Sequence, residues 1–263
     1  MPGRRVMLIL AAAGFLPAFA LFMAGGCARA DSVEGRPAPI LMYHHVGDGA
    51  TNRWWVPAAE FEAHLRHLRG NGYTSVLPSE LKAAAEGRGA LPARPVVITF
   101  DDGGLDLLTV AEPIMARYGY TGTIYLISGK VGDGAAGRMH YEGQPCLVWP
   151  EVRAMRSRGH FRFGGHTRNS PDLRRVTDPA LEIAGCRDDL ARELGAAPDS
   201  FSYPFGRYRS NAVAAVGRAG FETAVTCEPE VFRIRSDASW LELPRVNVVG
   251  GAGLDAFERA LAQ

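Results

Sequence analysis

From Pro39 onward, short apolar runs of strand length alternate with segments of helical pattern, and Gly or Pro stands at most of the joins. A strand followed by a helix that packs back on the sheet brings the next strand in parallel, so this alternation dictates an α/β fold built of parallel units. The expected strands are 40–43, 95–100, 122–127, 161–163, 201–203, 221–226 and 240–249. Helical segments are expected at 57–68, 78–85, 107–118, 150–157, 179–194, 211–219 and 254–261. The Gly-rich stretch 129–143 reads as surface loop, and the pattern alone fits either an open sheet or a barrel.

Composition bounds the partners. Of 263 residues, 47% are hydrophobic and 22% charged, which is ordinary for a globular protein, and no second domain or internal repeat is visible. A formal charge of +1 with no basic stripe excludes nucleic acid as a partner. Residues 1–30 read as a leader: Arg4 and Arg5 precede the uncharged run Val6–Met23, and Ala28-Arg29-Ala30 has the form of a signal-peptidase site. The run is also long enough for an uncleaved membrane anchor, and Cys27 after Ala24-Gly25-Gly26 offers a lipidation site. Export to the periplasm or envelope is the expectation in each case. Residues 31–38 read as a linker, and 39–263 as the folded domain. Cys146, Cys186 and Cys227 lack a Cys-x-x-Cys spacing and are either free thiols or partly paired.

In parallel β/α architectures, sites gather at the C-terminal ends of strands. Here His44 and His45 follow the first strand, Asp101 and Asp102 the 95–100 strand, His166 the 161–163 strand, and Tyr203-Pro204-Phe205-Gly206 the 201–203 strand. Side chains of adjacent residues diverge, so of the two carboxylates one can bind a metal while the other faces substrate. Carboxylate and imidazole around an ion with an open position suit hydrolysis, because the ion acidifies bound water and polarises a carbonyl.

Three segments carry a resemblance. Thr99-Phe100-Asp101-Asp102-Gly103, then Gly165-His166-Thr167-Arg168-Asn169-Ser170-Pro171-Asp172-Leu173, then Phe201-Ser202-Tyr203-Pro204-Phe205-Gly206 resemble, in order and spacing, the main motifs of the polysaccharide deacetylases, the NodB-homology group or carbohydrate esterase family 4. Pro39 to His45 and Leu243-Pro244-Arg245-Val246 resemble the opening and closing strands of its poly-N-acetylglucosamine deacetylase branch. The resemblance implies a distorted (β/α) barrel of seven or so parallel strands with a divalent metal, zinc, at its mouth. It implies Asp101 as general base, Asp102 and His166 as metal ligands, His44 as general acid, the Phe205 backbone N–H as oxyanion donor and Arg245 as a neighbour tuning Asp101. Tyr203, Pro204 and Trp54 are the expected substrate contacts, with Trp55 a further flat aromatic surface for sugar rings and Trp149 either another such surface or a core residue.

The chain departs from that pattern in three places. The second metal histidine is Ser170, a hydroxyl that is a poor zinc ligand, with Asp172 or a water as candidate replacement. Gly104 replaces a larger residue and is expected to widen the mouth, and Ser202 stands where the family has an arginine. The expected function is metal-dependent removal of N-acetyl groups from an N-acetylglucosamine polysaccharide. The alternatives are a catalytically weakened or inactive carbohydrate-binding homologue, on account of Ser170, and a small-molecule amidase or esterase.

Overall fold

The computed structural model describes Gly3, residues 32–48 and residues 52–262. The expected leader, with Cys27, lies outside the described residues apart from Gly3. Among the described residues no helix is long and apolar enough to cross a membrane.

The strands of the main sheet are β1 (Ile40–Tyr43), β2 (Tyr73–Ser75), β3 (Arg94–Phe100), β4 (Gly122–Leu126), β5 (Phe161–Gly165), β6 (Ser200–Ser202), β7 (Thr223–Val225) and β8 (Val246–Asn247). They run in the order β7-β6-β5-β4-β3-β1-β8, every pair is parallel, and β2 pairs with the N-terminal part of β3. The expected distorted (β/α) barrel of parallel strands forms, as a curled half-barrel. A lone parallel bridge from Val225 to Leu243 links β7 to the stretch that becomes β8, so the two ends of the curled sheet meet through that stretch.

Covering helices are α1 (Ala58–Gly70), α2 (Pro78–Ala85), α3 (Glu112–Tyr118, entered through a π-helical turn at Leu107–Ala111), α4 (Trp149–Arg158), α5 (Ala180–Leu194), α6 (Ser210–Ala219) and α7 (Leu254–Leu261). Two helices start by the same device. In α2 the Glu80 carboxylate accepts the Leu77 N–H at 2.7 Å, and in α4 Glu151 accepts the Val148 N–H at 3.0 Å, each beside a Pro in the first turn. Strand β3 is buried from Pro95 through Phe100, as expected of a parallel strand covered on both faces. One core, including Leu41, Ile98, Phe100, Ile124 and Phe161, fills the space between sheet and helices. Trp149, 4% exposed, belongs to that core and does not face a sugar site.

Three expectations need correction. The segment 31–38 is not a free linker over its described part: Gly35 and Ala38 donate backbone hydrogen bonds to Ile234 and Phe232, and Ala38 is buried. The strand expected at 240–249 contracts to Val246–Asn247, because the chain spends Leu243 on β7, passes Pro244, which has no N–H to give, and only then joins β1. The 129–143 loop ends in an ordered hairpin, His140–Tyr141 paired antiparallel with Gln144–Pro145.

Candidate active site

The ends of β1, β3 and β5, together with the turn after β6, open into one pocket of about 250 Å³ lined by His44, His45, Asp101, Asp102, His166 and Phe205, among others. The premise that these strand ends converge therefore holds.

Asp101 ends β3 and is 2% exposed. Arg245, fully buried, grips it with two hydrogen bonds, Nη1 to Oδ1 at 2.9 Å and Nη2 to Oδ2 at 2.7 Å. The same guanidinium donates to Thr99 Oγ1 at 3.1 Å, Ser202 Oγ at 3.2 Å and the Thr226 carbonyl at 2.7 Å, so all of its nitrogens are engaged. Ser202 Oγ also donates to Asp101 Oδ2 at 3.3 Å. The cationic group missing at position 202 thus arrives from position 245. Burial pushes the Asp101 carboxyl up, but the charge and hydrogen bonds of Arg245 outweigh it and hold the group well below the usual carboxylate range.

Asp102 takes a left-handed backbone, φ 71°, and so turns away from its neighbour to face His166, with Oδ1 3.5 Å from Nε2. Burial first, and the charge of Asp101 second, push its carboxyl up to about 7. His166 Nδ1 lies 2.8 Å from the Ser202 carbonyl, which can only accept, so Nδ1 carries the proton and Nε2 presents its lone pair to Asp102 and the pocket. Burial lowers the His166 pKa, which keeps the ring neutral.

Ser170 occupies the expected second imidazole position on a tightly braced loop. Its N–H donates to Thr167 Oγ1 at 2.9 Å, Arg168 pairs with Asp189 at 2.9 Å, and Asn169 Nδ2 donates to Glu182 at 2.8 Å. Its hydroxyl, however, lies 3.0 Å from that of Tyr141. Asp172 is not the replacement donor: its carboxylate is taken by Arg174 at 2.7 Å, with Arg175 and Arg207 nearby. Among the described residues no group of three or more His, Cys, Asp and Glu side chains is arranged to hold a metal ion. Asp102 and His166 alone fit a divalent cation: a half-buried carboxylate short of positive charge beside an imidazole whose tautomer is fixed by a carbonyl. The cluster supplies two strong donors, not three.

His44 lies tilted against Trp54, ring centroids 4.4 Å apart at 36°, and its Nδ1 is buried with no partner. Burial lowers its pKa to about 4, so the resting ring is neutral. His45 stacks on Trp55 at 4.6 Å and 13°, and its Nδ1 lies 2.9 Å from Asp106 Oδ1. The other Asp106 oxygen accepts the Val46 N–H at 2.8 Å. Gly104 makes this pair possible: a Cβ there would overlap the Asp106 carboxylate and lie 2.8 Å from His45 Nδ1. The missing side chain does not widen the mouth, because His45 and Asp106 fill the space.

Phe205 sits on the rim, 48% exposed, with φ 58°. Tyr203 and Pro204 are not brought to the pocket. Ser202 faces Asp101, so by strand alternation Tyr203 points to the opposite face, where it is fully buried and its hydroxyl donates to the Leu241 carbonyl at 3.0 Å. Tyr141, Glu142 and Asn247 line the pocket without any sequence signal, the first two because they lie in the Gly-rich stretch. Cys146, Cys186 and Cys227 are free thiols, and Cys227 is a pocket wall. Among the described residues, the non-glycine residues with positive φ are Asp102, Glu142, Thr167, Ser170 and Phe205. All line the pocket except Thr167, which is inside the braced loop, so backbone strain is concentrated at this site.

A mouth of this kind, with an ionised carboxylate locked by a guanidinium beside a second carboxylate and neutral imidazoles, defines a hydrolytic enzyme site on a curled (β/α) barrel. Within that class the chain belongs to the polysaccharide deacetylase family, whose model matches residues 88–224. It is 30% identical over 221 residues to YxkH of Bacillus subtilis (strain 168), named for the polysaccharide deacetylases, covering 83% of this chain and 74% of that protein. Over 259 residues it is 22% identical to the poly-beta-1,6-N-acetyl-D-glucosamine N-deacetylase of Escherichia coli (strain K12), covering 84% of this chain but 38% of that longer protein. Among solved structures it is similar to IcaB from Ammonifex degensii, with a TM-score of 0.74, 25% identity, and coverage of 87% of this chain and 97% of that one. The fold is also that of the Streptococcus pyogenes deacetylase PplD, with a TM-score of 0.76, 24% identity, and coverage of 86% and 98%.

Proposed function

We propose that this chain hydrolyses the acetamide of N-acetylglucosamine units in a polysaccharide, giving a free amine and acetate. The observation that carries the reading is the gathering of Asp101, Asp102, His44 and His166 from separate strand ends around one pocket. Asp101, fixed and ionised, orients the attacking water and takes its proton. The carbonyl oxygen, as it becomes negative, rests on the Phe205 backbone N–H. His44, neutral at rest, receives the proton that the water gave up and delivers it to the departing nitrogen, so protons balance across the step. Trp54 and the rim ring of Phe205 offer flat faces to the sugar.

Asp102 and His166 are the residues that would hold a divalent cation, zinc by the chemistry of the donors. Such a cation acidifies water and polarises the acetyl carbonyl, help that a carboxylate as weakly basic as Asp101 requires. In the same reading the leader directs the protein to the periplasm or envelope, where such polymers occur, and the chain touches a membrane only through that segment.

A second reading is favoured by Ser170: a homologue that binds the polymer but turns it over slowly or not at all. Acetate released from a poly-N-acetylglucosamine or chitin oligomer, with and without added zinc, separates the two. Release that rises with zinc supports the deacetylase; oligomer binding with no acetate at any zinc concentration supports the silent binder. A panel that includes simple acetyl esters exposes a small-molecule esterase.

A further inference from the structure

The position that lost its imidazole is not empty. Beside Ser170, which stands there, lies a phenol from a different part of the chain, brought there by a hairpin. That hairpin, His140–Tyr141 against Gln144–Pro145, is fastened to the carboxylate loop: the Leu147 N–H donates to the Gly103 carbonyl at 2.9 Å, and the Leu105 N–H donates to the Pro145 carbonyl at 2.8 Å. Arg138 locks its base by donating to the Cys146 carbonyl at 2.7 Å and to both Glu151 oxygens at 2.7 and 2.8 Å. Its tip closes through Glu142 at φ 48°, a strained conformation that a non-glycine residue adopts only when the surroundings enforce it. The hairpin is therefore a rigid holder. What it holds into the pocket, beside Asp102, His166 and Ser170, is the hydroxyl of Tyr141, 3.0 Å from Ser170 Oγ.

We propose that Tyr141, oriented by Ser170, is a further catalytic residue: its hydroxyl donates a hydrogen bond to the acetyl oxygen on the side opposite the Phe205 N–H. In this arrangement the Ser170 hydroxyl donates to the phenol oxygen, which leaves the phenol proton free for substrate. No bond is made or broken by Tyr141; it stabilises charge as the charge develops. The exchange of imidazole for serine is then a trade, a weaker hold on the cation against a second oxyanion donor. This inference rests on the deacetylase reading and deepens it.

The test uses Tyr141→Phe, Ser170→Ala and the double variant, all in the full chain. Turnover is read as acetate from an N-acetylglucosamine oligomer, and oxygen binding as an NMR titration of the chelator-treated protein with sodium acetate. Tyr141→Phe is expected to lower kcat by about 10- to 100-fold with KM within about twofold, in line with the loss of one oxyanion donor. Ser170→Ala is expected to cost less, and the double variant no more than Tyr141→Phe alone, since the two act as a unit. Acetate affinity should fall at least about fivefold in Tyr141→Phe, the loss of one hydrogen bond. A kcat within twofold of wild type in Tyr141→Phe overturns the inference. If wild type releases no acetate, the functional reading fails by itself, and the titration still decides: equal acetate affinity in wild type and Tyr141→Phe overturns the role of Tyr141, while a fivefold loss upholds it.

Discussion

Two corners of the same pocket, centred on adjacent residues, are built to different standards. At Asp101 every polar atom is answered: the carboxylate is held by Arg245 and Ser202, and the guanidinium spends its remaining donors on Thr99 and Thr226. At Asp102 the accounts stay open, with one imidazole 3.5 Å away, burial pushing the carboxyl up, and a hydroxyl where a third donor would stand. The closed corner can keep its geometry without help. The open corner has no guanidinium of its own, and under the proposed function it is where a cation would be held. The difference teaches that a substitution at a family ligand position can leave the fold and the Asp101 corner intact while changing the donors of the other half of the site.

The sharpest way to break the closed corner is Arg245→Leu. It leaves a buried carboxylate unpaired and is expected to cost about 3–5 kcal/mol, read as a lowered urea midpoint, with Asp101→Asn in the same background restoring part of the loss. A cost under about 1 kcal/mol would show that the pair is ornamental. Next in size is Gly104→Ala, which forces apart His45 and Asp106 at the edge of the open corner. A loss of about 1–3 kcal/mol and a lowered melting temperature are expected, and neutrality would mean that the loop simply shifts.

A smaller effect comes from outside both corners. His64, on the buried face of α1, stacks on Phe257 of α7, and burial lowers its pKa to about 4 despite Glu60 at 3.9 Å. The unfolded ring, with a pKa near 6.5, binds the proton first as pH falls, so stability is full above that value and declines on the way down to 4. Between pH 6.5 and 5.5 the loss should be about 1 kcal/mol, and His64→Leu should remove that part of the slope. Because His44 contributes a decline of the same sign, the difference between variant and wild type is the quantity to read.

Much of this was legible in the chain. The alternation of strands and helices dictated the parallel sheet, and the strand-end rule found His44, Asp101, Asp102, His166 and Phe205, because a pattern with a period and a rule about ends needs no knowledge of distant contacts. What escaped depends on such contacts. Nothing near Tyr141 in sequence shows that its hydroxyl meets Ser170, 29 residues later. Nothing near Gly104 shows that His45 and Asp106 will fill the space it leaves, and the seating of Asp172 against arginines is equally a matter of folding. Tyr203 was misplaced for a different reason: the strand-end rule names a turn, whereas the side of the strand is settled by which neighbour, Ser202 or Tyr203, meets Asp101.

The contrast between the corners is tested most directly by calorimetric zinc titration of the chelator-treated wild type beside Ser170→His, at one pH. The account predicts that the added imidazole tightens zinc binding by at least about tenfold, the order of effect expected of one more nitrogen ligand. Zinc binding as tight in wild type as in Ser170→His would contradict it, since the open corner would then already hold its cation as firmly as a site with the third donor in place.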